Sequence, residues 1–148
     1  MKKNFLPISI NIAGEKILII GGGRDAYKKL LILKRFDAEV EVLAKDVCQE
    51  IKDSGVKYFE TDYNKSFLDG YLMLYSCTNN DVLNRQIVED GKEAGILVNI
   101  HDQPALCQFV SPAIYRQGEI AIAVSSNGQN VFESIRIRDL IKEKLQIN

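Results

Sequence analysis

Residues 16–26 read KILIIGGGRDA, an apolar run that stops abruptly at three glycines. The run is short and rich in β-branched residues, as strands buried on both faces of a parallel sheet are. After the glycines, apolar residues recur at helical spacing and predict a helix over about residues 25–36; they are Ala26, Leu30, Leu31 and Leu33. The basic residues of this segment fall on the remaining helical positions: Lys28, Lys29, Lys34 and Arg35. The stretch therefore predicts a strand, a glycine turn and a helix.

The same alternation continues to about residue 103. Strands are predicted at 40–43, 56–60, 71–76 and 96–100, and helices at 47–53 and from about 81 to 94. Asn80 or Asp81 can cap the second of these helices and Gly95 can end it, and its predicted inner face consists of Leu83, Ile87 and Ala94. Strands and helices that alternate at this spacing imply right-handed crossovers and a doubly wound parallel sheet. We therefore predict an α/β fold with a Rossmann-like domain over residues 1–104.

The last part of the chain, residues 105–148, has a different pattern. Two strands, predicted at 109–116 and 119–125, are joined at Gln117-Gly118 and indicate a hairpin. A helix from about 131 to 145 follows, with an apolar stripe formed by Ile137, Leu140, Ile141 and Leu145. A hairpin and one helix cannot bury much surface, so this segment is expected to pack against the first domain or against a second copy of itself. We favour the second copy, which makes residues 105–148 a dimerisation segment and the protein a homodimer.

Composition and charge exclude several classes of protein. The chain has 148 residues, of which 46% are hydrophobic and 26% charged, a balance typical of a folded domain. No apolar run approaches the roughly eighteen residues that cross a bilayer, and Pro7 and Asn11 interrupt what would be the core of a signal peptide. The net charge of −1 predicts neither a nucleic-acid nor a membrane partner.

The cysteines predict a reducing compartment. Cys48, Cys77 and Cys107 are three in number and form no C-x-x-C pair, and the chain has one histidine. This pattern argues against a disulfide framework and against a metal site, so the cytoplasm is the expected location. Cys77 and Cys107 are expected to be small packing residues rather than nucleophiles.

The glycine turn fits the dinucleotide-binding pattern G-x-G-x-x-A, with Gly21, Gly23 and Ala26 in its three positions. Gly21 would permit the tight turn, Gly23 would let the backbone approach a pyrophosphate, and Ala26 would keep the helix close to the strand. Asp25 would be unfavourable beside a phosphate at the helix N-terminus, unless its side chain points away or caps the helix. The alternative is a glycine turn that binds no ligand. The predicted cofactor contacts here are Gly21, Gly22, Gly23, Arg24, Asp25 and Ala26.

Two further strand ends complete the predicted cofactor site. A dinucleotide fold usually places an acidic residue about twenty positions after the glycines, where it binds the adenosine ribose. Here the second strand ends at Ala44 and Lys45, with Asp46 one step beyond. Lys45 would suit a 2′-phosphate, so the residues leave NAD and NADP both open. The predicted contacts after the fourth strand, where ligands meet an open α/β sheet, are Cys77, Thr78 and Asn79.

A polar segment from Asn99 to Pro104 follows the fifth strand. Asp102 could act as a general base, and His101 as a base or a metal ligand. The competing interpretations are that Asp102 forms a turn before Gln103-Pro104 and that His101 is structural. The residues alone leave these interpretations open.

Together these motifs resemble the precorrin-2 dehydrogenase family, which also forms the N-terminal, NAD-binding part of siroheme synthases. The resemblance begins with Leu6-Pro7, Ile17 to Gly23, Ala26 and Lys29. The family's A-T-[DN]-[DN]-x-x-x-N stretch is matched by Cys77 to Asn80 and Asn84, and its N-[VI]-x-D-x-P turn by Asn99, Ile100, Asp102 and Pro104. Later matches, in order, are Cys107, Phe109, Pro112, Arg116, Gly118 and Ile122 to Gly128. The match covers essentially the whole chain.

The resemblance implies an NAD-dependent oxidation of precorrin-2 to sirohydrochlorin, a step towards siroheme. It implies that Asp102 is the catalytic residue, which accepts a proton or orients the tetrapyrrole while NAD⁺ takes a hydride. Some family members also insert Fe²⁺ into the product. The implied substrate-binding residues are Asn99, His101, Arg116, Ser125 and Ser126, and the carboxylates of the substrate would also suit Arg136 and Arg138.

Two departures from the family affect the substrate more than the cofactor. Family members usually continue into a C-terminal helical domain that helps close over the tetrapyrrole, whereas this sequence stops at Asn148. The family's Ser-Pro after the S-[ST]-x-G turn is replaced by Asn130-Val131. Three alternatives therefore stand beside the main interpretation: a non-catalytic NAD(P)-binding regulatory or redox-sensing module, an enzyme that is also a sirohydrochlorin ferrochelatase, and an enzyme completed by a separate helical lid chain.

Overall fold

The computed structural model describes residues 1–145 and divides into two compact units. One unit spans residues 10–108 and contains, in chain order, β1 (Lys16–Ile20), α1 (Arg24–Lys34), β2 (Glu39–Ala44), α2 (Gln49–Asp53), β3 (Lys57–Glu60), β4 (Tyr71–Ser76), α3 (Asp81–Ala94) and β5 (Leu97–Ile100). Short 3₁₀ turns lie at Lys65–Leu68 and Pro104–Leu106. The other unit combines the first nine residues with the chain from Phe109 onward and contains β6 (Ala113–Gln117), β7 (Ile120–Val124) and α4 (Val131–Leu145).

The first unit is built on a five-stranded parallel sheet in the order β3-β2-β1-β4-β5. The chain leaves β1 towards β2 on one side and returns to β4 on the other, so the strand order reverses beside β1. In open α/β sheets, ligands bind outside the carboxyl ends of the strands at such a reversal. The predicted fold class is confirmed, and the residues after β1 and β4 lie at that crevice.

Apolar side chains of the central strands form the core of this unit. Ile17, Leu18 and Ile19 are at most 1% exposed, and Leu74 and Val98 are fully buried. A continuous apolar run suits such strands because helices cover a parallel sheet on both faces. The five strands predicted for this unit all appear, each within one residue of its expected start and end.

Helix α1 agrees with its predicted position but not with every predicted orientation. Ala26, Leu30 and Leu33 are buried as expected, whereas Leu31 is 46% exposed. Lys29, predicted on a remaining, non-apolar position, is instead half-buried. Its place one turn after Ala26 and one turn before Leu33 puts it at the edge of the apolar stripe.

Helix α3 begins and ends as predicted. The side chain of Asn80 caps it by accepting a 3.0 Å hydrogen bond from the N–H of Leu83, and Gly95 ends it in the left-handed conformation at φ 72°. The prediction that Ala94 lies on the inner face is wrong, because Ala94 is exposed. The buried residues of the helix are Asn84, Ile87, Asp90 and Gly91.

Gly91 explains why this inner face contains so little apolar side chain. A Cβ atom on Gly91 would overlap the side chain of Val98 on β5. The absence of a side chain therefore lets the helix approach the sheet closely. Helical periodicity alone does not reveal such a contact.

The second unit is the predicted hairpin and helix. Strands β6 and β7 pair in antiparallel fashion and turn at Gly118, whose φ is 57°. β6 begins at Ala113 rather than at the predicted residue 109, because Pro112 has no N–H to donate to a strand ladder. Asn127 ties the N-terminal residues to this unit, since its Oδ1 accepts from the N–H of Phe5 (2.6 Å) and its Nδ2 donates to the carbonyl of Lys3 (3.2 Å).

This second unit has little core of its own. Within its described residues, Ser134 is the only buried one. Large apolar side chains of α4 remain exposed, among them Phe132 at 86% and Val131 at 60%. No helix within residues 1–145 is long and apolar enough to cross a membrane.

Candidate functional site

The turn after β1 brings three strand ends together through its backbone. The N–H of Gly21 donates to the carbonyl of Leu43 at the end of β2 (2.9 Å), and the N–H of Cys77 donates to the carbonyl of Ile20 (2.7 Å). Gly21 has φ 129°, and a Cβ there would lie 3.0 Å from the backbone of Cys77. The tight turn therefore requires glycine at this position.

The next two glycines differ in what surrounds them. A Cβ on Gly22 would overlap the carbonyl oxygen of Asp46, so the chain after β2 packs directly against the turn. A Cβ on Gly23 would meet nothing within 4 Å. The structure thus leaves open space at Gly23, where the sequence predicts the approach of a pyrophosphate.

Helix α1 presents its N-terminus at this open space. Gly23 is the N-cap residue and supplies no side-chain hydrogen bond to the first turn. The N–H groups of a first helical turn have no partner within the helix, and together with the helix dipole they bind anions. Ala26 is fully buried, which lets the helix pack close to the sheet. The glycine turn therefore has the shape and the donors that fit a dinucleotide pyrophosphate.

The other two predicted first-turn contacts, Arg24 and Asp25, are exposed. The carboxylate of Asp25 does not cap the helix; its Oδ2 lies 3.7 Å from Nε2 of His101. The side chain of Asp25 is thereby drawn towards the end of β5. Of the two arrangements expected for Asp25, pointing away or capping the helix, the structure has the first, and the partner His101 was not predicted.

At the end of β2, the predicted ribose contacts remain near the surface. Ala44 is half-buried, and Lys45 and Asp46 are exposed. Nζ of Lys45 lies 3.7 Å from Oδ1 of Asp62, and both side chains are largely exposed. Such a pair is weak, so Lys45 is free to turn to another anion at little cost.

The segment after β4 is held by a buried asparagine. Oδ1 of Asn84 accepts from the hydroxyl of Ser76 (2.8 Å), and its Nδ2 donates to the carbonyl of Thr78 (3.0 Å). The hydroxyl of Thr78 accepts from the N–H of Asn80. Asn84 therefore positions Cys77, Thr78 and Asn79, a role that the sequence motif contains but that we did not assign.

The two predicted packing cysteines are enclosed. Burial raises the pKa of the Cys77 thiol to about 11, and the positive charge of Lys29 opposes this rise. Cys107 is 1% exposed, and its Sγ accepts from the N–H of Ile100 (3.2 Å). The Cys77 thiol is therefore protonated at neutral pH, and Cys107 is a buried packing residue.

The segment after β5 places a carboxylate at the same edge of the sheet. The N–H of His101 donates to the carbonyl of Ser76 (2.8 Å), which fixes the end of β5 to the end of β4. Asp102 follows in the left-handed conformation at φ 59°, and the N–H of Gln103 closes the turn on Ile100. The side chain of Asp102 is 83% exposed, and its Oδ2 lies 3.3 Å from Nε2 of His101. Asp102 is thus both a turn former and an accessible carboxylate.

Lys29 is a site residue that the sequence analysis placed only in the family resemblance. Its Nζ lies 4.7 Å from the centre of the Tyr75 ring on β4. Burial lowers the pKa of Lys29, while the nearby Cys77, Cys107 and Asp102 raise it. Asn99 pairs with Tyr75 in the sheet register and is 8% exposed. The ammonium group of Lys29 therefore lies beside Tyr75, near the carboxyl end of β4.

The remaining predicted substrate contacts, Arg116, Ser125 and Ser126, belong to the second unit. Nε of Arg116 donates to the carbonyl of Gly118 (3.1 Å), and the hydroxyl of Ser126 accepts from the N–H of Asn130 (2.8 Å). In α4, Arg136 pairs with Glu133 at 2.6 Å and Arg138 with Asp139 at 2.8 Å. Across residues 1–145, no three His, Cys, Asp or Glu residues are grouped so that they could hold a metal ion.

Comparison with known proteins identifies relatives of this chain. The chain is 35% identical over 130 residues to the siroheme synthase of Vesicomyosocius okutanii subsp. Calyptogena okutanii, a match that covers 85% of this chain and 28% of that protein. It is 32% identical over 147 residues to the siroheme synthase of Buchnera aphidicola subsp. Acyrthosiphon pisum, covering 97% of this chain and 30% of that protein. The chain thus spans about 30% of the length of the siroheme synthases that it matches.

A solved structure of SirC, a precorrin-2 dehydrogenase, has the same fold. It superposes with a TM-score of 0.77 at 19% identity, over 95% of this chain and 70% of that one. A family model described as "Putative NAD(P)-binding" matches residues 8–113, which include the whole glycine turn and the Asp102 turn. These matches support the resemblance to precorrin-2 dehydrogenases and siroheme synthases, and the chain belongs to this NAD(P)-binding family.

Proposed function

We propose that the protein binds NAD⁺ at the glycine turn and oxidises precorrin-2 to sirohydrochlorin, a step of siroheme biosynthesis. The observation that carries this proposal is the convergence of the glycine turn and the Asp102 turn at one edge of the sheet. Their backbones are linked through Cys77 to Ile20 and through His101 to Ser76. The matches to siroheme synthases and to a precorrin-2 dehydrogenase support an NAD-dependent oxidoreductase.

The oxidation removes a hydride and a proton from the tetrapyrrole. NAD⁺ supplies the hydride acceptor when it is bound. The first turn of α1 binds the pyrophosphate, and the open space at Gly23 allows its approach. Asp102 accepts the proton, because its carboxylate is 83% exposed at this edge and lies 3.3 Å from Nε2 of His101.

We assign the substrate contacts by the chemistry of the ligand. Precorrin-2 carries many carboxylates, which guanidinium groups bind through charge-assisted hydrogen bonds. Arg116 is an exposed guanidinium on β6, so it is the first candidate. Ser125 and Ser126 follow β7 in the same unit, whereas Asn99 and His101 lie at the end of β5.

The exposed apolar surface of the second unit supports a homodimer. The side chains of Ile120, Val131, Phe132 and Leu140 are 44–86% exposed. Covering them with a second copy would bury apolar surface that is otherwise left in water. A separate helical lid chain could cover the same surface instead. The mass of the purified protein in solution distinguishes a homodimer from a monomer that awaits such a chain.

The reaction is tested by mixing the protein under anaerobic conditions with enzymatically generated precorrin-2 and NAD⁺. NADH and sirohydrochlorin should form together and in equal amounts. Asp102→Asn should abolish turnover, and asparagine is the better replacement because it tolerates the left-handed backbone at φ 59°. Asp53→Asn, which removes an exposed carboxylate on α2, is the matched control and should leave the rate unchanged.

Two other outcomes would replace this proposal. If NAD⁺ binds in calorimetry but no sirohydrochlorin forms, the chain is a cofactor-binding module rather than a complete dehydrogenase. If Asp102→Asn turns over at the wild-type rate, the proton acceptor is another group. Unchanged NAD⁺ binding in Asp102→Asn would show in either case that the variant is folded.

A further inference from the structure

One imidazole lies between the two halves of the proposed site. Nε2 of His101 is 3.3 Å from Oδ2 of Asp102 and 3.7 Å from Oδ2 of Asp25. Asp25 belongs to the first turn of α1, where the dinucleotide would bind, and Asp102 belongs to the turn after β5. The only histidine of the chain therefore contacts a carboxylate from each element.

The carboxylate of Asp25 is a competitor for the cofactor. A carboxylate in the first turn of a helix is attracted to the same N–H groups and the same dipole that bind a phosphate. Gly23 supplies no side-chain cap, so nothing from the N-cap residue opposes such a movement. In the structure Asp25 lies instead towards His101, away from the role of a cap.

The imidazole lies within reach of both carboxylates through one atom, Nε2, which can donate a hydrogen bond to one of them at a time, and a protonated imidazole would attract both. The backbone of His101 is fixed by its hydrogen bond to Ser76 at the end of β4. Its side chain is 36% exposed, compared with 48% for Asp25 and 83% for Asp102. The imidazole is thus the least exposed of the three side chains and the one whose backbone is fixed to the neighbouring strand end.

We propose that His101 is a positioning residue that keeps Asp25 off the dinucleotide-binding helix terminus and holds Asp102 at the substrate edge. This inference rests on the proposed function, which places the cofactor beside Asp25 and assigns the proton transfer to Asp102. Through His101, the element that meets the cofactor and the turn that meets the substrate share one side chain. The charge of Lys29, on the same helix, also interacts with Asp102 and Cys77.

A double-mutant cycle on NAD⁺ affinity tests the first half without any substrate. His101→Ala should weaken NAD⁺ binding in calorimetry about fivefold, because the freed Asp25 carboxylate then competes for the helix terminus. Asp25→Asn should bind NAD⁺ at least as tightly as the wild type. In the Asp25→Asn background, His101→Ala should have no further effect on the dissociation constant.

The second half is tested by turnover and by a spectroscopic signal. His101→Ala should lower kcat about tenfold through loss of the Asp102 position, and His101→Gln, which keeps an N–H donor, should restore most of it. Since the chain has one histidine, ¹⁵N-labelled histidine gives a single imidazole to observe by NMR. Asp25→Asn and Asp102→Asn should each shift that signal, whereas Lys28→Ala, an exposed change on α1, should not.

The outcomes separate this inference from the proposed function. The positioning role would be overturned if His101→Ala lost the same NAD⁺ affinity in the wild-type and Asp25→Asn backgrounds, or if neither aspartate variant shifted the imidazole signal. In that case, turnover by the wild type would still support the proposed reaction. Normal NAD⁺ binding without wild-type turnover would overturn the reaction, and the affinity cycle would still decide the role of Asp25 and His101. If the wild type binds no NAD⁺, both proposals fall together.

Discussion

The N–H of Cys48 donates a 2.8 Å hydrogen bond to the carbonyl oxygen of Gly22, so the segment that leads into α2 is fastened to the glycine turn. On the other side of Gly22, the carbonyl of Asp46 occupies the place of a side chain. The middle glycine of the turn is therefore a packing residue. A Cβ on its neighbour Gly23 would meet nothing within 4 Å, so we expect Gly22 to matter for stability and Gly23 for cofactor binding.

We expect Gly22→Ala to destabilise the protein by about 1–3 kcal/mol, because the added methyl group collides with backbone that cannot move aside alone. The free energy of unfolding, measured in urea, checks this. Gly23→Ala is the matched control and should lower that free energy by less than about 1 kcal/mol, because it meets no clash and only replaces glycine by a poorer N-cap residue. Equal stability of the two variants would contradict the packing role of Gly22.

Gly23→Ala should instead weaken NAD⁺ binding. Its methyl group enters the open space at the N-terminus of α1, where the pyrophosphate is expected to approach the backbone. We expect the dissociation constant in calorimetry to rise about tenfold, which corresponds to about 1.4 kcal/mol. Wild-type affinity in this variant would place the cofactor elsewhere on the sheet.

Tyr63 makes the stability of the first unit sensitive to alkaline pH. Its hydroxyl donates a 2.8 Å hydrogen bond to Oδ2 of Asp90, whose Oδ1 accepts from Gln86. Burial, followed by the hydrogen bond and the charge of Asp90, raises the pKa of Tyr63. Up to about pH 10, the ordinary pKa of tyrosine, the hydroxyl is protonated in both states and stabilises the fold fully. Above it the unfolded chain releases the proton first, so this stabilisation falls as pH rises.

Tyr63→Phe should therefore cost about 1 kcal/mol of unfolding free energy at neutral pH, and the difference from the wild type should shrink above about pH 10. The pKa of Tyr71 is also raised, by burial and by Glu41. Because Tyr71 is present in the wild type and in Tyr63→Phe, it lowers the free energy of unfolding of both proteins equally at alkaline pH. Tyr58→Phe, a change at a tyrosine 39% exposed, is the control and should show no such convergence. A difference that stays constant beyond pH 10 would refute the Tyr63–Asp90 interaction.

The thiol of Cys77 should react slowly with iodoacetamide. With a pKa of about 11, only about one thousandth of it is thiolate at pH 8. Lys29 favours the thiolate, so Lys29→Met should slow alkylation further, whereas the exposed Lys28→Met should leave the rate unchanged. Mass spectrometry of the alkylated peptides measures the rates, and faster labelling of Cys77 in Lys29→Met would show that the ammonium does not act on this thiol.

The sheet could be predicted from the sequence because its strands are continuous apolar runs between turn residues. Helix faces were predicted less well: Leu31 is exposed and Ala94 lies outside the buried face. Periodicity states which residues share a side of a helix, but not where a glycine such as Gly91 allows closer packing. The start of β6 shifted for a local reason, since Pro112 cannot join the ladder.

The sequence predicted the site residues that follow each strand, but not the contacts between side chains from different elements. The glycine turn and the Asp102 turn follow from motifs that are local in sequence. The contact of Asp25 with His101 joins residues from different elements, so no spacing rule indicates it. Lys29 entered the sequence analysis as a basic position of α1 and as part of the family resemblance, with no role assigned, because its position beside Tyr75 depends on how that helix lies over β4.

The exposed end of α4 provides the last prediction. Phe132 is 86% exposed and Val131 60%, in a unit whose described residues bury only Ser134. If a second copy covers this surface, Phe132→Glu places a charge in an apolar interface, where an unpaired charge is strongly unfavourable. Sedimentation should then show a dimer for the wild type and a monomer for the variant, whereas Lys28→Glu, an exposed change on α1, should remain dimeric. If the wild type is a monomer at all concentrations, the homodimer is wrong, and a separate helical chain becomes the expected partner of this surface.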